Sequence, residues 1–332
     1  MRSAYQPLNS EPNYVCDLIA AGIADEYLRR DPETRINCHV SGGNGALFIT
    51  GETITTADFD VSQLVRRILA TQGTFDNLEP FVAIEPVPSD RVGLTRQACS
   101  QATVVSGYAC NETPEKIPQP VQIAKTIARV LYDKRQSDPD WFWLGLAGSV
   151  VVLEDKGKYQ ITIQTDHANS DVSKVRQDIL ELLQASNLPA ERQITVNPLG
   201  ALPKAGLDSV VGFSGQAIYP FGIWFPSAYN SAGLDWHNAN VLGQWIARRS
   251  ALKLLASSDS QAVFTRLVYI PGEMYPQTFW ARDEKGMDLS KELKREDLHL
   301  QNAALEWKVP GLMTQAALFG GVGDQTLPWE II

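Results

Sequence analysis

The stretch Gly107-Tyr-Ala-Cys-Asn-Glu-Thr113 is followed, after four intervening residues, by Pro118-Gln-Pro120. We predict a helix over Val121–Lys134 directly after these prolines. A strand pair is predicted next, at Ser149–Glu154 and Tyr159–Thr165, where short apolar runs flank a polar turn. The quoted stretch therefore stands at the head of a block of helix and strands.

A similar block precedes it. Apolar residues recur at helical spacing over Pro12–Arg30, and Asp31-Pro32 ends this helix. Two strands follow, at Arg35–Val40 and Ala46–Gly51, and a second helix is predicted over Asp60–Thr71. The order of elements repeats, although no repeat of the residues themselves is visible.

The turn between the first two strands is rich in glycine and reads Ser41-Gly-Gly-Asn-Gly45. Glycine-rich loops can bind phosphate, but a P-loop is followed by Lys and then Ser or Thr. This stretch lacks that pair and lies between two strands, so a hairpin turn is the favoured interpretation.

The C-terminal part of the chain continues the alternation of helices and strands. We predict a helix over Asp171–Ser186, a strand over Gln193–Asn197, a helix over Asn240–Leu255, strands over Ala262–Ile270 and Tyr275–Arg282, and a last helix over Ser290–Leu305. Three blocks of similar size indicate an α+β protein built from three sheet-plus-helix layers.

Composition excludes several classes of protein. The net charge of −9 and the pI of 5.0 argue against binding to nucleic acid, which needs a basic surface. No apolar run is long enough to span a bilayer, and no signal peptide is visible, which predicts a cytoplasmic protein. The cysteines Cys16, Cys38, Cys99 and Cys110 lack metal-site spacing and are interpreted as free thiols.

The stretch Gly107–Thr113 with Pro118-Gln-Pro120 resembles the S-adenosylmethionine synthetase family, which carries Gly-Tyr-Ala-Thr-Asn-Glu-Thr and then Pro-x-Pro. Further matches follow in register over about residues 10–330. They are Asp25-Glu-Tyr-Leu28, Gly51-Glu52 with Thr55-Thr56, Leu188-Pro-Ala-Glu191, Asn197-Pro198-x-Gly200, and Phe319-Gly320 with Pro328-Trp-Glu330. Each motif is weak alone, but six in register identify a divergent member of the family.

The resemblance implies a fold and an assembly. The fold would consist of three structurally similar α+β subdomains around a pseudo-threefold axis, at residues 9–84, 97–202 and 203–331. The active unit would be a homodimer whose two active sites lie at the subunit interface. Two stretches are shorter than in typical members, namely those between Ile84 and Gln97 and between Ile218 and Gly233.

The family's reaction joins methionine to ATP and displaces the triphosphate, so its site must hold about four negative charges with Mg²⁺, Lys and Arg. Most of those groups are missing here. The family's catalytic His and metal-binding Asp correspond to Glu11 and Asn13, and another acid corresponds to Gln101. The lysine before the central strand falls on Gly148, and the glutamate of the potassium site falls on His39.

The loss continues further along the chain. The Arg, Asp and Lys expected after Asn197 fall on Ala201, Val210 and Ala217. The family's lysine-containing loop is best matched by residues 233–240, which lack both lysines and the second acid. We therefore expect no Mg²⁺ or K⁺ site, no cofactor and no synthetase reaction.

Polar residues nevertheless remain at positions that face the ligand in the family. The candidate catalytic residues are Glu11, Asp235 and His237, and the candidate substrate-binding residues are Asn13, Tyr14, Glu52, Ser100, Gln101 and Asn240. Such an uncharged-to-acidic lining suits a neutral or cationic small molecule better than a polyphosphate. In the plainer interpretation, His237 is a solvated or structural group, and Glu52 is an exposed carboxylate at a strand end.

Three functions remain open from the sequence. The first is a repurposed enzyme that acts on or binds S-adenosylmethionine, methionine or a related small metabolite without ATP. The second is a non-catalytic regulatory subunit in a hetero-oligomer with an active synthetase. The third is an unusual but active methionine adenosyltransferase.

Overall fold

The structure, a computed structural model, describes residues 1–72, 77–90, 92, 99, 101–168, 171–202, 205–216 and 232–332. Its helices are α1 Pro12–Arg30, α2 Val61–Gln72, α3 Gln119–Ser137, α4 Val172–Gln184, α5 Ala239–Ser257, α6 Leu300–Trp307 and α7 Leu312–Ala317. Its strands are β1 Arg2–Pro7, β2 Arg35–Gly43, β3 Ala46–Ile54, β4 Glu79–Pro86, β5 Thr103–Cys110, β6 Leu144–Asp155, β7 Lys158–His167, β8 Arg192–Val196, β9 Gly212–Phe213, β10 Ala262–Tyr269 and β11 Thr278–Asp283.

The strands form three sheets, each covered by helices, and this α+β class confirms the predicted fold. The strand orders are β4-β3-β2-β9, β1-β6-β7-β8 and β11-β10-β5. Each sheet takes one strand from a distant part of the chain: β9, β1 and β5 respectively. Each sheet therefore contains a strand from outside its own stretch of sequence, so boundaries at residues 84, 97 and 202 do not separate the three sheets completely.

The glycine-rich turn joins β2 to β3 as a hairpin, as predicted. Gly43 pairs with Ala46, so Asn44 and Gly45 are the two turn residues. Both have positive φ, at 53° and 101°, which is the conformation that Asn-Gly turns adopt readily. This turn sets the register of the whole hairpin.

The hairpin has one buried face and one open face. Side chains alternate along a strand, so Ile36, Cys38 and Val40 of β2 point to the same side. They are buried with Leu47 and Ile49 of β3 in the cluster that contains α1. The opposite side of the sheet is exposed, and the candidate site lies there.

The motif residue Gly107 lies where β5 packs against α5. An added Cβ at Gly107 would lie 2.2 Å from the backbone carbon and oxygen of Ala247, so no side chain fits. Thr265 of the neighbouring strand β10 donates its hydroxyl hydrogen to the same carbonyl oxygen, Ala247 O, at 2.7 Å. The glycine therefore serves a close approach of strand and helix.

Arg248 of α5 is completely buried and holds the end of the chain against this motif. Its guanidinium donates to both carboxylate oxygens of Glu330, from Nε at 2.8 Å and from Nη2 at 2.7 Å. It also donates to the backbone oxygens of Tyr108, Glu115 and Lys116. One side chain thus joins β5, the loop after it and the C-terminal segment.

Some predicted elements differ from the observed ones. The last helix, predicted over Ser290–Leu305, is wrong as a continuous element. Two 3₁₀ turns, Ser290–Glu292 and Arg295–Leu298, come first, and α6 begins after His299, whose side chain accepts a hydrogen bond from Asn302 N. Strands β1, β4, β5 and β9 were not predicted from the sequence.

No helix within the described residues is both long and apolar enough to cross a membrane. All four cysteines are free, as the sequence indicated, and all four are buried.

We expect Arg248→Ala to lower the free energy of unfolding by about 3–5 kcal/mol, because Glu330 would stay buried without its partner. Lys253→Ala in the same helix removes a surface ion pair with Asp297, and it should cost less than about 1 kcal/mol. Urea unfolding followed by circular dichroism measures both values. Equal losses in the two variants would contradict the role given to Arg248.

Candidate functional site

A small cavity of about 60 Å³ lies where the β2–β3 hairpin meets the segment before α5. Its lining includes Arg35, Asn37, Glu52, Gln101, Asp235 and His237. Four of the candidate site residues therefore lie together, although they come from three separate stretches of the chain.

The hairpin places Asn37 beside Glu52. The two residues are directly opposite each other in the antiparallel register of β2 and β3, so their side chains share the open face of the sheet. Arg35 lies two residues before Asn37 and has the same orientation. Three polar side chains are thereby brought to one edge of the hairpin.

The segment before α5 runs along the edge of β2. Cys38 N donates to Gly233 O at 2.9 Å, and Asp235 N donates to Ile36 O at 3.2 Å. Gly233 has a φ of 80°, and an added Cβ there would lie 2.1 Å from Cys38 O. Glycine is required at this position because the two backbones are so close.

Asp235 is 5% exposed, and its carboxylate is used to hold the segment in place. Oδ2 accepts a hydrogen bond from Ile36 N at 2.8 Å, and Oδ1 accepts one from His237 N at 2.8 Å. Oδ1 also lies 3.3 Å from Nδ1 of His237. In this geometry Asp235 positions His237, whereas the sequence had suggested a catalytic role.

His237 lines the cavity, and its side chain is 24% exposed. Its Nδ1 contacts both the guanidinium of Arg35 and the carboxylate of Asp235. Any acid–base chemistry at the cavity would therefore use the other ring nitrogen, Nε2.

The described lining of the cavity has more carboxylates than cationic side chains. Glu52 and Asp235 contribute carboxylates, whereas Arg35 is the one lysine or arginine among the described lining residues. The side-chain oxygen of Asn37 is buried and accepts no hydrogen bond from any described residue. Such a lining fits a ligand group that donates hydrogen bonds or carries positive charge.

Glu11 and Asn13 lie elsewhere, at the start of α1. Glu11 is the N-cap of this helix and accepts a hydrogen bond from Tyr14 N at 2.9 Å. Burial raises the pKa of the Glu11 carboxyl, and hydrogen bonds from Tyr14 N and from Asn13 partly offset that rise. Glu11 does not line the small cavity, so within one chain it and His237 do not share a site.

Asn13 faces a second, open cavity of about 740 Å³, which His39, Ser41 and Phe213 also line. The side-chain oxygen of Asn13 accepts a hydrogen bond from Phe213 N at 3.0 Å, which attaches β9 to α1. The sheet β4-β3-β2-β9, which contains the β2–β3 hairpin, is called the hairpin sheet below. This cavity lies on its open face, because His39 and Ser41 alternate with the buried residues of β2.

Two other candidates are buried away from both cavities. Tyr14 is 4% exposed and belongs to the packed side of α1. Asn240 is also 4% exposed, accepts a hydrogen bond from the Thr103 hydroxyl, and donates its backbone N–H to Asn238 Oδ1 at 2.9 Å. Ser100 lies outside the described residues.

The position of the family's central lysine cannot accept a side chain here. Gly148 has a φ of 152°, and an added Cβ would lie 2.0 Å from Gln164 O on the neighbouring strand. Val210 is half exposed, and Ala217 lies outside the described residues. Within the described part of the chain, no group of three or more His, Cys, Asp or Glu side chains is arranged to hold a metal ion.

Two polar residues of the hairpin, Arg35 and Asn37, line the cavity but were not among the candidates drawn from the sequence. The signal for them was present in the hairpin: counting back from an Asn44-Gly45 turn pairs Asn37 with Glu52. Arg35 then follows from the two-residue period of a strand.

Comparison with known proteins gives two family matches. The N-terminal domain of S-adenosylmethionine synthetase matches residues 8–84, and the central domain of the same family matches residues 96–202. Together these matches cover more than half of the chain.

Individual proteins match over nearly the full length. The S-adenosylmethionine synthase of Aquifex aeolicus is 24% identical over 99% of this chain and 96% of its own length. That of Prochlorococcus marinus is 25% identical over 96% of this chain and 93% of its own length. A solved structure described as an unusual S-adenosylmethionine synthetase from Campylobacter jejuni has a TM-score of 0.87 at 18% identity, covering 99% of this chain and 96% of that one.

Asp235→Ala should lower the free energy of unfolding by about 1–3 kcal/mol, because Ile36 N would stay buried without an acceptor. The matched control is Asp259→Ala, which changes an exposed aspartate and should cost less than about 0.5 kcal/mol. Urea unfolding compares the two variants with the wild type. If Asp235→Ala were as stable as the control, Asp235 would not hold this segment.

Proposed function

Because the chain belongs to the S-adenosylmethionine synthetase family, we propose that it keeps the family's fold and binds an amine- or sulfonium-bearing metabolite without using ATP. The ligand class is S-adenosylmethionine, methionine or a related small molecule. We propose that the protein is cytoplasmic, which the four free cysteines support, and that it forms a homodimer.

The observation that carries this proposal is the excess of carboxylates over cationic side chains among the described residues of the small cavity. Glu52 and the buried oxygen of Asn37 lie side by side on the hairpin, with Gln101 also in the lining. A positively charged ligand group would gain a carboxylate and an amide oxygen there. A triphosphate would instead meet two carboxylates with only Arg35 to offset them among the described lining residues.

The proposed loss of ATP chemistry rests on charged groups of the family that this sequence lacks. A lysine at position 148 would require β6 and β7 to move apart, because Gly148 lies against Gln164 O. Ala201 and Val210 supply no charge in place of the family's Arg and Asp. Among the described lining residues, only Arg35 could then stabilise the charge that develops on a leaving triphosphate.

We assign roles to the cavity residues accordingly. Glu52, Asn37 and Gln101 bind the cationic group of the ligand. His237 is the acid–base candidate through Nε2, and Asp235 is the positioning residue that sets the ring orientation.

A second copy of the chain is the proposed cover of the open sheet face. Phe81, Phe48, Ser41 and Phe213 form one row across all four strands, because each is the register partner of the next. The three phenylalanines are each about half exposed, and Phe48 stacks on Phe81 with centroids 5.4 Å apart. An exposed apolar row of this kind is typical of an interface.

The same face carries both cavities. Thr50 and Glu52 follow Phe48 along β3 at two-residue intervals, and Asn37 and His39 precede Ser41 along β2. A partner packed on the phenylalanine row would therefore close over the small cavity and the cavity at Asn13 together. This arrangement supports a ligand site that only the homodimer completes.

Calorimetry should show that S-adenosylmethionine binds at least about tenfold more tightly than ATP, because the cavity favours positive charge. Glu52→Gln should weaken S-adenosylmethionine binding by about tenfold or more. Glu85→Gln is the matched control, since Glu85 is the register partner of Glu52 on β4 but does not line the cavity. Equal or tighter binding of ATP would refute the proposal.

Phe48→Asp should convert the homodimer to a monomer, because it places a charge within the apolar row. Leu305→Asp changes a side chain that is 74% exposed on α6, and it should leave the dimer intact. Light scattering at micromolar concentration measures both. A wild-type protein that is monomeric by itself would favour the alternative of a regulatory subunit that needs a true synthetase as its partner.

A further inference from the structure

An open groove of about 720 Å³, separate from the two cavities described above, lies on the central subdomain between the 3₁₀ turn Pro139–Trp141 and helix α4. It shares no lining residue with either cavity on the hairpin sheet. None of the residues that line this groove belongs to the motifs that indicated the family.

One wall of the groove is aromatic. Trp141, Phe142 and Trp143 are consecutive, and all three line it. Trp143 is buried and anchors the run, with its ring centroid 5.0 Å from that of Trp141. Phe142 is 69% exposed and presents an apolar ring to the open groove.

The facing wall is one side of α4. Lys174, Asp178 and Glu181 lie at helical spacing, so they project from the same side of the helix into the groove. Asp140 adds a third carboxylate from the 3₁₀ turn. Acidic groups therefore outnumber basic ones.

The two lysines of the groove differ in their surroundings. Lys134 is already engaged, because its Nζ lies 2.7 Å from Asp138 Oδ2 and 5.5 Å from the ring centroid of Trp141. Lys174 lies one turn before Asp178 and lines the groove with it. Glu181 accepts one hydrogen bond from Gln177 Nε2, at 2.8 Å on Oε1. Three carboxylates and two lysines leave the described lining with one excess negative charge.

We propose that this groove is a docking site for an extended basic segment of a partner protein. A lysine or arginine side chain of that segment would lie on the face of Phe142 and reach the carboxylates of Asp178 and Glu181. Aromatic rings attract cations through their faces, and carboxylates supply the opposite charge. The groove is larger than a single side chain requires, which favours a peptide over a small cation.

The probe for this proposal is an acetylated and amidated tetra-arginine peptide, titrated into the full chain by calorimetry. Asp178→Asn combined with Glu181→Gln should weaken binding by about tenfold or more. Phe142→Leu, which keeps an apolar side chain but removes the ring, should weaken it by about fivefold. The matched control is Glu191→Gln with Asp259→Asn, which removes the same charge from exposed positions outside the groove and should change affinity by less than about twofold.

Several outcomes would overturn the proposal. One is the absence of binding at millimolar peptide. Another is equal weakening by the control pair, which would mean nonspecific attraction to an acidic protein. Tighter binding of tetra-proline or tetra-glutamate than of tetra-arginine would assign the groove to another class of partner. The groove variants should leave S-adenosylmethionine affinity unchanged, so failure here is distinguishable from failure of the proposed function.

Discussion

The buried guanidinium of Arg248 joins parts of the chain that are far apart in sequence. It holds the carboxylate of Glu330 near the C-terminus and three backbone oxygens around the motif at residues 107–113. Because Gly107 lets β5 lie directly against α5, these carbonyls come within reach of the guanidinium. Packing and hydrogen bonding thus account for Gly107 and for the backbone of Tyr108 in this motif.

The hairpin sheet shows how one element serves both fold and site. The residues at even positions of β2 are buried against α1, whereas the odd positions carry Arg35, Asn37 and His39 on the open face. A slip of one residue in register would exchange the two faces. The Asn44-Gly45 turn fixes this register, so the chemistry of the open face depends on two turn residues about 20 Å away along the strand, at about 3.3 Å per residue.

Much of the fold could be predicted from the sequence, because periodicity reports local structure. Helix α1 was predicted with the bounds that it has. Strand β5 was missed because nearly all its residues are buried, so it lacks the alternation that marks a half-exposed strand. One strand of each sheet comes from a distant part of the chain, and no local sequence pattern predicts such long-range pairing.

The residues that line the candidate site could be predicted in part, but their contacts could not. Correspondence with the family placed Glu52, Gln101, Asp235 and His237, which line one cavity. The correspondence could not show that both carboxylate oxygens of Asp235 accept backbone hydrogen bonds. Nor could it show that Glu11 caps helix α1, outside this cavity. Those facts depend on the path of the backbone around each side chain.

We propose that the chain has kept the family's fold and has lost its ATP chemistry. The most direct test is a turnover assay of the purified protein with methionine, ATP, Mg²⁺ and K⁺. We expect no S-adenosylmethionine and no phosphate or diphosphate above a protein-free control. Formation of S-adenosylmethionine that disappears in a Glu52→Ala variant would contradict the claim.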